Sequence, residues 1–256
     1  MVNLQAIIFD VDGTLADTEE AHRHAFNDTF RERGLTWHWS IQDYLSLLKV
    51  TGGKERIRHF IDTSQGCLPK LVADMDDYIA ELHRAKTQRY QAIIEAGQLP
   101  LRTGIKRLLL EARRAGLQLA IATTTSHSNV QSLLEINLGT DASGWFAVMG
   151  TGEDVSQKKP HPEVYEVVLQ RLGLDASACI ALEDSENGLL AARAANLSCV
   201  ITSNDYTRED AFSGADIVLD HLGEADLPFS VEQGDAAGFQ LVNVEMLRNL
   251  HAKANA

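Results

Sequence analysis

Ala6-Ile7-Ile8-Phe9-Asp10-Val11-Asp12-Gly13-Thr14 is the stretch on which the fold turns. Ala6 to Phe9 is an apolar run of the length and type of a strand buried on both faces. It leads directly into two aspartates at i and i+2. In extended backbone such side chains point the same way, so both carboxylates can face one site at the strand's end. Two acids side by side repel unless a cation sits with them, and Mg²⁺, a hard ion that takes oxygen ligands, is the natural occupant. Gly13 lets the backbone turn there and approach a ligand closely. Taken alone, the stretch also fits a strand followed by an ordinary Asp-Gly turn.

Downstream, from Pro100, helix and strand alternate. Ile105 to Ala115 reads as a helix ended by Gly116, and Leu117 to Ala122 as a strand. Ser128 to Leu138 reads as a helix that Ser128 can cap, and Phe146 to Met149 as a strand. Pro162 suits the first turn of a helix running to Leu172. Cys179 to Leu182 is a strand, Glu186 to Ala195 a helix capped by Ser185, and Ser198 to Ile201 and Ile217 to Leu219 are strands. This alternation implies right-handed crossovers and a parallel sheet with helices on both faces. Ligands in such sheets bind beyond the carboxyl ends of the strands, where Asp10, Thr123 and Glu183-Asp184 all fall. The tail from Gly223 is loop-like until Val244 to Lys253, a short helical pattern expected to dock on the core.

Between Asp10 and Pro100 the pattern is different. Asp17 to Arg33 reads as a helix with Asp17 as cap, Glu20 completing a capping box and Gly34 as the stop. Ala25, Phe26, Thr29 and Phe30 supply its stripe, and Trp37-His38-Trp39 reads as aromatic packing. Ser40 to Leu99 shows helical periods and no convincing buried strand. Ile41 to Leu48 is one helix, and Met75, Ile79, Leu82 and Ala85 give another its stripe. The expected architecture is a Rossmann-like parallel-sheet α/β core, residues 1–16 and 100–256, with an all-helical cap domain, residues 17–99, inserted. In the insert, Thr51-Gly52-Gly53-Lys54-Glu55-Arg56 offers backbone N–H groups and two cations at a helix start, which suits an anion. A plain helix link with solvated side chains fits the same spacing. His83-Arg84-Ala85-Lys86 with Arg89 is either a second cationic cluster or a solvated helix face.

The totals narrow the classes of function. The chain has 256 residues and a net charge of −13, which argues against a nucleic-acid or anionic-membrane surface. A phosphate substrate would therefore need cations gathered locally. Cys67, Cys179 and Cys199 form no C-x-x-C, so neither a disulfide framework nor a zinc site is expected, and the last two read as core residues. No signal peptide precedes the first strand and no apolar stretch approaches a membrane span, so a cytoplasmic protein is expected.

Asp10-Val11-Asp12-Gly13-Thr14 resembles the first motif of the haloacid dehalogenase (HAD) phosphatase superfamily. Ile121-Ala122-Thr123 is similar to its second motif, Lys158-Lys159-Pro160 to the third and Glu183-Asp184 to the fourth. The four come in order, each beside an apolar strand or a helix start, and the resemblance runs from Ala6 to Asp220. It implies that Asp10 attacks phosphorus and that Asp12 is the general acid and base. Thr123 and Lys159, or Lys158 beside it, would hold the phosphoryl group. Mg²⁺ would be bound through Asp10, Asp184 and position 12, where Asp12 contributes its backbone C=O, with Glu183 either a further ligand or a group that orients the ion's waters.

Within the superfamily the chain resembles the CbbY-type phosphatases. The likeness rests on Asp17-Thr18-Glu19-Glu20-Ala21-His22, Thr51 to Ile57, His83 to Lys86 and Ala122 to Ser126. That family hydrolyses xylulose-1,5-bisphosphate, an inhibitor of Rubisco, to xylulose 5-phosphate. The resemblance implies that Lys54, Arg56, Arg84 and Lys86 hold the distal phosphate and that Glu19 meets a sugar hydroxyl. Gly52, Gly53, Glu55 and His83, with Thr124, Thr125, Ser126, His127 and Asn129, would line the rest of the site. His127-Ser128 departs from the family's more usual apolar-Pro. The expected partner is a small phosphorylated sugar, with no nucleic acid or membrane, and the expected state a monomer. Alternatives are a β-phosphoglucomutase-like mutase, a phosphoglycolate phosphatase, and a non-catalytic phosphometabolite-binding protein. The last would be expected to lack Asp10 or Asp12, and both are present.

Overall fold

The structure is a computed structural model that describes residues 3–63 and 74–255; Cys67 lies outside the described residues. The chain divides into two compact units, Met1–Asp17 with Pro100–Ala256, and Thr18–Leu99.

The strands of the first unit are β1 Ala6–Phe9, β2 Gln118–Ala122, β3 Phe146–Gly150, β4 Cys179–Glu183, β5 Ser198–Thr202, β6 Ile217–Leu219 and β7 Val231–Gly234. They form one sheet in the order β3-β2-β1-β4-β5-β6-β7. All neighbours are parallel except β6 and β7. β1 lies inside the sheet between β2 and β4, and its four residues are fully buried. Placing the apolar run between two neighbours satisfies its backbone on both sides while helices cover both faces. Ala6 and Ile8 pack with Val164, Tyr165 and Val168 and with Leu189 and Ala192. These come from helices later in the chain, Glu163–Leu172 and Glu186–Ala194. Helices Ile105–Arg114 and Val244–Ala254 pack against β2 and β4, burying Leu108, Leu109, Leu247 and Leu250. Each such side chain contributes about 1.5–3 kcal/mol by leaving water.

The second unit, Thr18–Leu99, is helical throughout its described residues: α1 Glu19–Glu32, α2 Ile41–Leu48, α3 Gly53–Thr63 and α4 Met75–Glu95. The first unit continues with α5 Ile105–Arg114, α6 His127–Leu138, α7 Glu163–Leu172, α8 Glu186–Ala194 and α9 Val244–Ala254. The Trp37 and Trp39 rings do pack as core, against Phe30 at 5.3 and 4.9 Å and against Phe60 at 5.5 Å each. Asn27 holds the Trp39 backbone from both sides, donating to its C=O at 2.9 Å and accepting its N–H at 2.8 Å.

Four expectations are corrected. The cap of α1 is Thr18, which makes no side-chain cap hydrogen bond; Asp17 instead pairs with Arg102 at 3.0 Å. The cap of α6 is Ser126, which accepts from Asn129 N–H, and not Ser128. The loop-like tail contains β7, an antiparallel edge strand. The stripe of α4 runs through Ile79, Leu82, Lys86, Tyr90 and Ile94, so a lysine occupies its buried face. Among the described residues no helix is long and apolar enough to cross a membrane.

Candidate active site

The register of three strands assembles the site. Phe9 of β1 pairs with Ile121 of β2 and with Leu182 of β4. The residues just beyond, Asp10, Ala122-Thr123 and Glu183-Asp184, therefore come level at the carboxyl edge of the sheet. Asp10, Thr123, Glu183 and Asp184 are all buried there. Lys159 reaches the same place: its Nζ donates to Asp10 Oδ1 at 2.7 Å, Ala122 O at 2.8 Å and Glu183 Oε1 at 2.5 Å. One ammonium thus ties together the ends of β1, β2 and β4. Lys159 is buried and Lys158 half-buried, and it is Lys159 that meets the carboxylates.

The loop carrying Lys159 is held by Glu163, the first residue of α7. Its carboxylate accepts Ser156 N–H at 3.1 Å and Gln157 N–H at 2.7 Å, and these two bonds keep the carboxyl below its usual range. One half-turn on, Tyr165 donates its hydroxyl to Glu183 Oε1 at 2.5 Å. Burial pushes the phenol up, and the Glu183 charge adds to that. Glu183 Oε2 is buried with no hydrogen-bond partner. It packs against Gly188 in the first turn of α8, where a Cβ would collide with the carboxylate. The N-terminal end of that helix favours a negative charge.

Asp10, Glu183 and Asp184 offer oxygens that all lie within 4.8 Å of one another. Asp12's carboxyl is not one of the three; Asp12 is half-buried at the start of the turn that bridges to Ala16. Burial pushes the Asp10 carboxyl up to about 8; Glu183 and Asp12 add to the rise while Lys159 opposes it. The Lys159 ammonium is itself held charged: burial opposes it, but Asp10 and Glu183 outweigh burial. With all three carboxyls ionised, as they are once Asp10 gives up its proton, one ammonium leaves two negative charges, which a divalent cation cancels. Oxygen-only donors suit a hard ion such as Mg²⁺ or Ca²⁺, so these residues could hold a metal.

Gly13 lies against Asp184, and a Cβ there would strike the Asp184 carboxylate. With φ at +81° the position also needs a residue without a side chain. Three functional candidates carry no sequence motif of their own: Tyr165, Arg102 and Asn204. Arg102 donates to Gly13 O at 2.5 Å, Thr202 O at 2.8 Å, Ser203 O at 2.5 Å and Asp220 O at 2.9 Å. It braces the turn after Asp12 against the ends of β5 and β6. Asn204 donates to Asp184 Oδ2 at 2.7 Å.

The loop after β2 places Thr123 beside the carboxylates. Its hydroxyl accepts Thr125 N–H at 3.3 Å. Thr125 Oγ1 accepts from Asn129 Nδ2 at 3.2 Å, and Asn129 Oδ1 is buried without a partner. Thr124 and Ser126 are half-buried and His127 is exposed.

In Thr18–Leu99, Arg56 donates to Leu47 O at 3.2 Å and to Tyr44 Oη at 2.9 Å. Tyr44 in turn donates to Glu19 Oε2 at 3.1 Å. Gly53 sits beside His83, where a Cβ would come within 2.5 Å of the imidazole. Lys54, Glu55 and Arg84 are exposed, and Gly52 is half-buried. Lys86 is different: buried, 2.5 Å from His22 Nδ1 and over the rings of Phe26 and Tyr90 at 4.8 and 4.9 Å. Arg84 and Lys86, expected at one phosphate, stand on opposite faces of α4, as residues two apart on a helix do.

A family model described as haloacid dehalogenase-like hydrolase matches residues 4–196. Protein CbbY of a Cupriavidus necator plasmid is 50% identical over 230 residues, 88% of this chain and 88% of that protein. A crystal structure of CbbY from Rhodobacter sphaeroides in complex with phosphate is 46% identical with a TM-score of 0.80, covering 85% of this chain and 94% of that one. A mutant of the CbbY from that organism, in complex with xylulose-1,5-bisphosphate, is 45% identical with a TM-score of 0.81, covering 87% of this chain and 98% of that one.

Proposed function

This chain belongs to the haloacid dehalogenase-like hydrolase family and is a phosphatase; from that premise we propose that it hydrolyses xylulose-1,5-bisphosphate to xylulose 5-phosphate and phosphate. The observation that carries the substrate is the likeness, over 87% of this chain, to a CbbY that binds that bisphosphate.

Asp10 attacks phosphorus with a carboxylate oxygen, and the bond to the ester oxygen breaks. Asp12 gives its proton to the leaving alkoxide, then takes one from the water that hydrolyses the aspartyl-phosphate, restoring Asp10. Thr123 and Lys159 hold phosphoryl oxygens; the Lys159 ammonium, already against Asp10, neutralises charge where it develops. Asp10 and Asp184, with Glu183 and the backbone C=O of residue 12, are the groups that would hold Mg²⁺. When bound, the ion supplies positive charge beside the transferring phosphoryl group. The substrate's second phosphate is met by the cations of the insert, Lys54 and Arg56, and a sugar hydroxyl by Glu19.

Phosphate release measured over sugar mono- and bisphosphates, 2-phosphoglycolate and glucose 1-phosphate, with Mg²⁺, tests this. Xylulose-1,5-bisphosphate is expected to give the highest kcat/KM. Glucose 6-phosphate appearing from glucose 1-phosphate would replace hydrolysis with mutase chemistry, and a preference for phosphoglycolate would remove the bisphosphate reading.

A further inference from the structure

Asp184 is the first residue after β4 and has a neighbour from a distant part of the chain. At the end of β5 the backbone turns through Ser203 to Arg208. Asn204 Nδ2 donates to Asp184 Oδ2 at 2.7 Å and reaches Gly13 O at 3.5 Å. The orientation of that amide is determined by its other end: Asn204 Oδ1 accepts Tyr206 N–H at 2.8 Å, so the nitrogen must be the atom on Asp184. The turn is itself held in place. Asn204 N–H donates to Thr207 Oγ1 at 3.1 Å, and Asn204 O accepts from the N–H of Thr207 at 3.1 Å and of Arg208 at 2.9 Å. Ser203 O accepts from Arg102, and Ser203 Oγ donates to Glu232 Oε2 at 2.8 Å. The donor is thus presented by a braced element and aimed at one oxygen.

We propose that Asn204 is a positioning residue: its amide fixes the rotation of the Asp184 carboxylate so that the aspartate is set for a divalent cation before the ion arrives. The inference rests on the metal reading of the Asp10, Glu183 and Asp184 cluster. A carboxylate ligand held by an outer hydrogen bond loses less rotational freedom on binding, and removing such a partner costs about 10- to 100-fold in metal affinity. The Asp184 carboxylate lies in a cluster with two other buried acids, Asp10 and Glu183. With the amide, Oδ2 has a neutral donor, and the repulsion is borne by a fixed geometry. The Asn204 amide bonds to Asp184, Gly13 O and Tyr206 N–H, so its effect is on the aspartate that would hold the ion.

The test is Mg²⁺ titrated into the metal-free, full-length protein, read by calorimetry and by the rise in Tm. Wild type, Asn204→Ala, Asn204→Ser and Thr207→Val are compared. Serine keeps an oxygen that can accept Tyr206 N–H but is too short to reach Asp184. Thr207→Val loosens the turn and leaves the amide. Expected are about 10- to 100-fold weaker Mg²⁺ binding in both Asn204 variants and wild-type affinity in Thr207→Val. Equal affinity in wild type and Asn204→Ser overturns the assignment, as does an equal loss in Thr207→Val, which would trace the effect to the turn. A wild type that binds no Mg²⁺ removes the metal reading, and this inference with it.

Discussion

At Asp10 the same burial that equips the nucleophile sets its response to pH. Its carboxyl is raised from 3.8 to about 8, by burial first. Between those values the native state holds a proton that the unfolded chain has released, so native stability falls as pH rises through that window. A divalent cation needs the ionised carboxylate, so metal binding displaces the proton and tightens over the same range. In EDTA, Tm is expected to fall from pH 5 to pH 9, and Asp10→Asn is expected to flatten that slope because the amide does not titrate. Thermal melts of the two proteins across the range decide it; parallel slopes would mean another group carries the dependence. The same substitution is expected to abolish turnover while the protein stays folded, since an amide cannot attack phosphorus. Phosphate release above a trace would remove Asp10 as nucleophile.

At the scale of elements, α7 and α8 each use their first turn on Glu183. Gly188→Ala weighs two effects against each other. Alanine favours the helix by roughly 0.5–1 kcal/mol over glycine, whereas its Cβ collides with a buried carboxylate, and overpacking of this kind costs about 1–3 kcal/mol. The collision wins, so urea denaturation is expected to show a net loss, together with lower kcat as Glu183 and Lys159 shift. A more stable Gly188→Ala protein would mean that the carboxylate is not seated there. β1, β4 and the Ser185 cap of α8 were legible because their signals are local: an apolar run, or a hydroxyl three residues before the N–H it caps. Lys159 was legible through the resemblance of Lys158-Lys159-Pro160 to a family motif, and the structure brings it to Asp10 and Glu183. Asn204, Arg102 and Tyr165 were not, because each acts on a partner 18 to 191 residues away, and nothing in their neighbours marks them. Asp17 misled because a good capping residue found a stronger partner in Arg102, buried and in need of a carboxylate. Lys86 misled because charge alone reads as surface, while its stem and ammonium lie among Phe26, Tyr90 and His22. β7 is short and all four of its residues are exposed, so no apolar alternation announced it.

On the scale of the whole molecule, a net charge of −13 repels a doubly phosphorylated substrate at long range. Recognition then depends on where cations are concentrated. Lys159 is committed to the carboxylates of the first unit, and Lys86 is buried within the second. Lys54 and Arg56, at the start of α3, and the exposed Arg84 of α4 remain as the proposed cations for the second phosphate. Arg56 already supports Tyr44 and the end of α2, so Arg56→Ala is expected to lower Tm as well as activity and cannot by itself report recognition. Lys54 is exposed, and Lys54→Ala is the cleaner probe. A charge-assisted hydrogen bond to a phosphate contributes about 1.5–3 kcal/mol. Its loss is roughly ten- to a hundredfold in kcat/KM for a bisphosphate. Para-nitrophenyl phosphate has no second phosphate and is expected to be hydrolysed by Lys54→Ala at the wild-type rate. Kinetics on both substrates, with Tm measured beside them, separate the cases. An equal loss on both would place Lys54 in the folding or motion of the helical unit, and no loss on either would leave it a solvated side chain, with the second phosphate bound elsewhere.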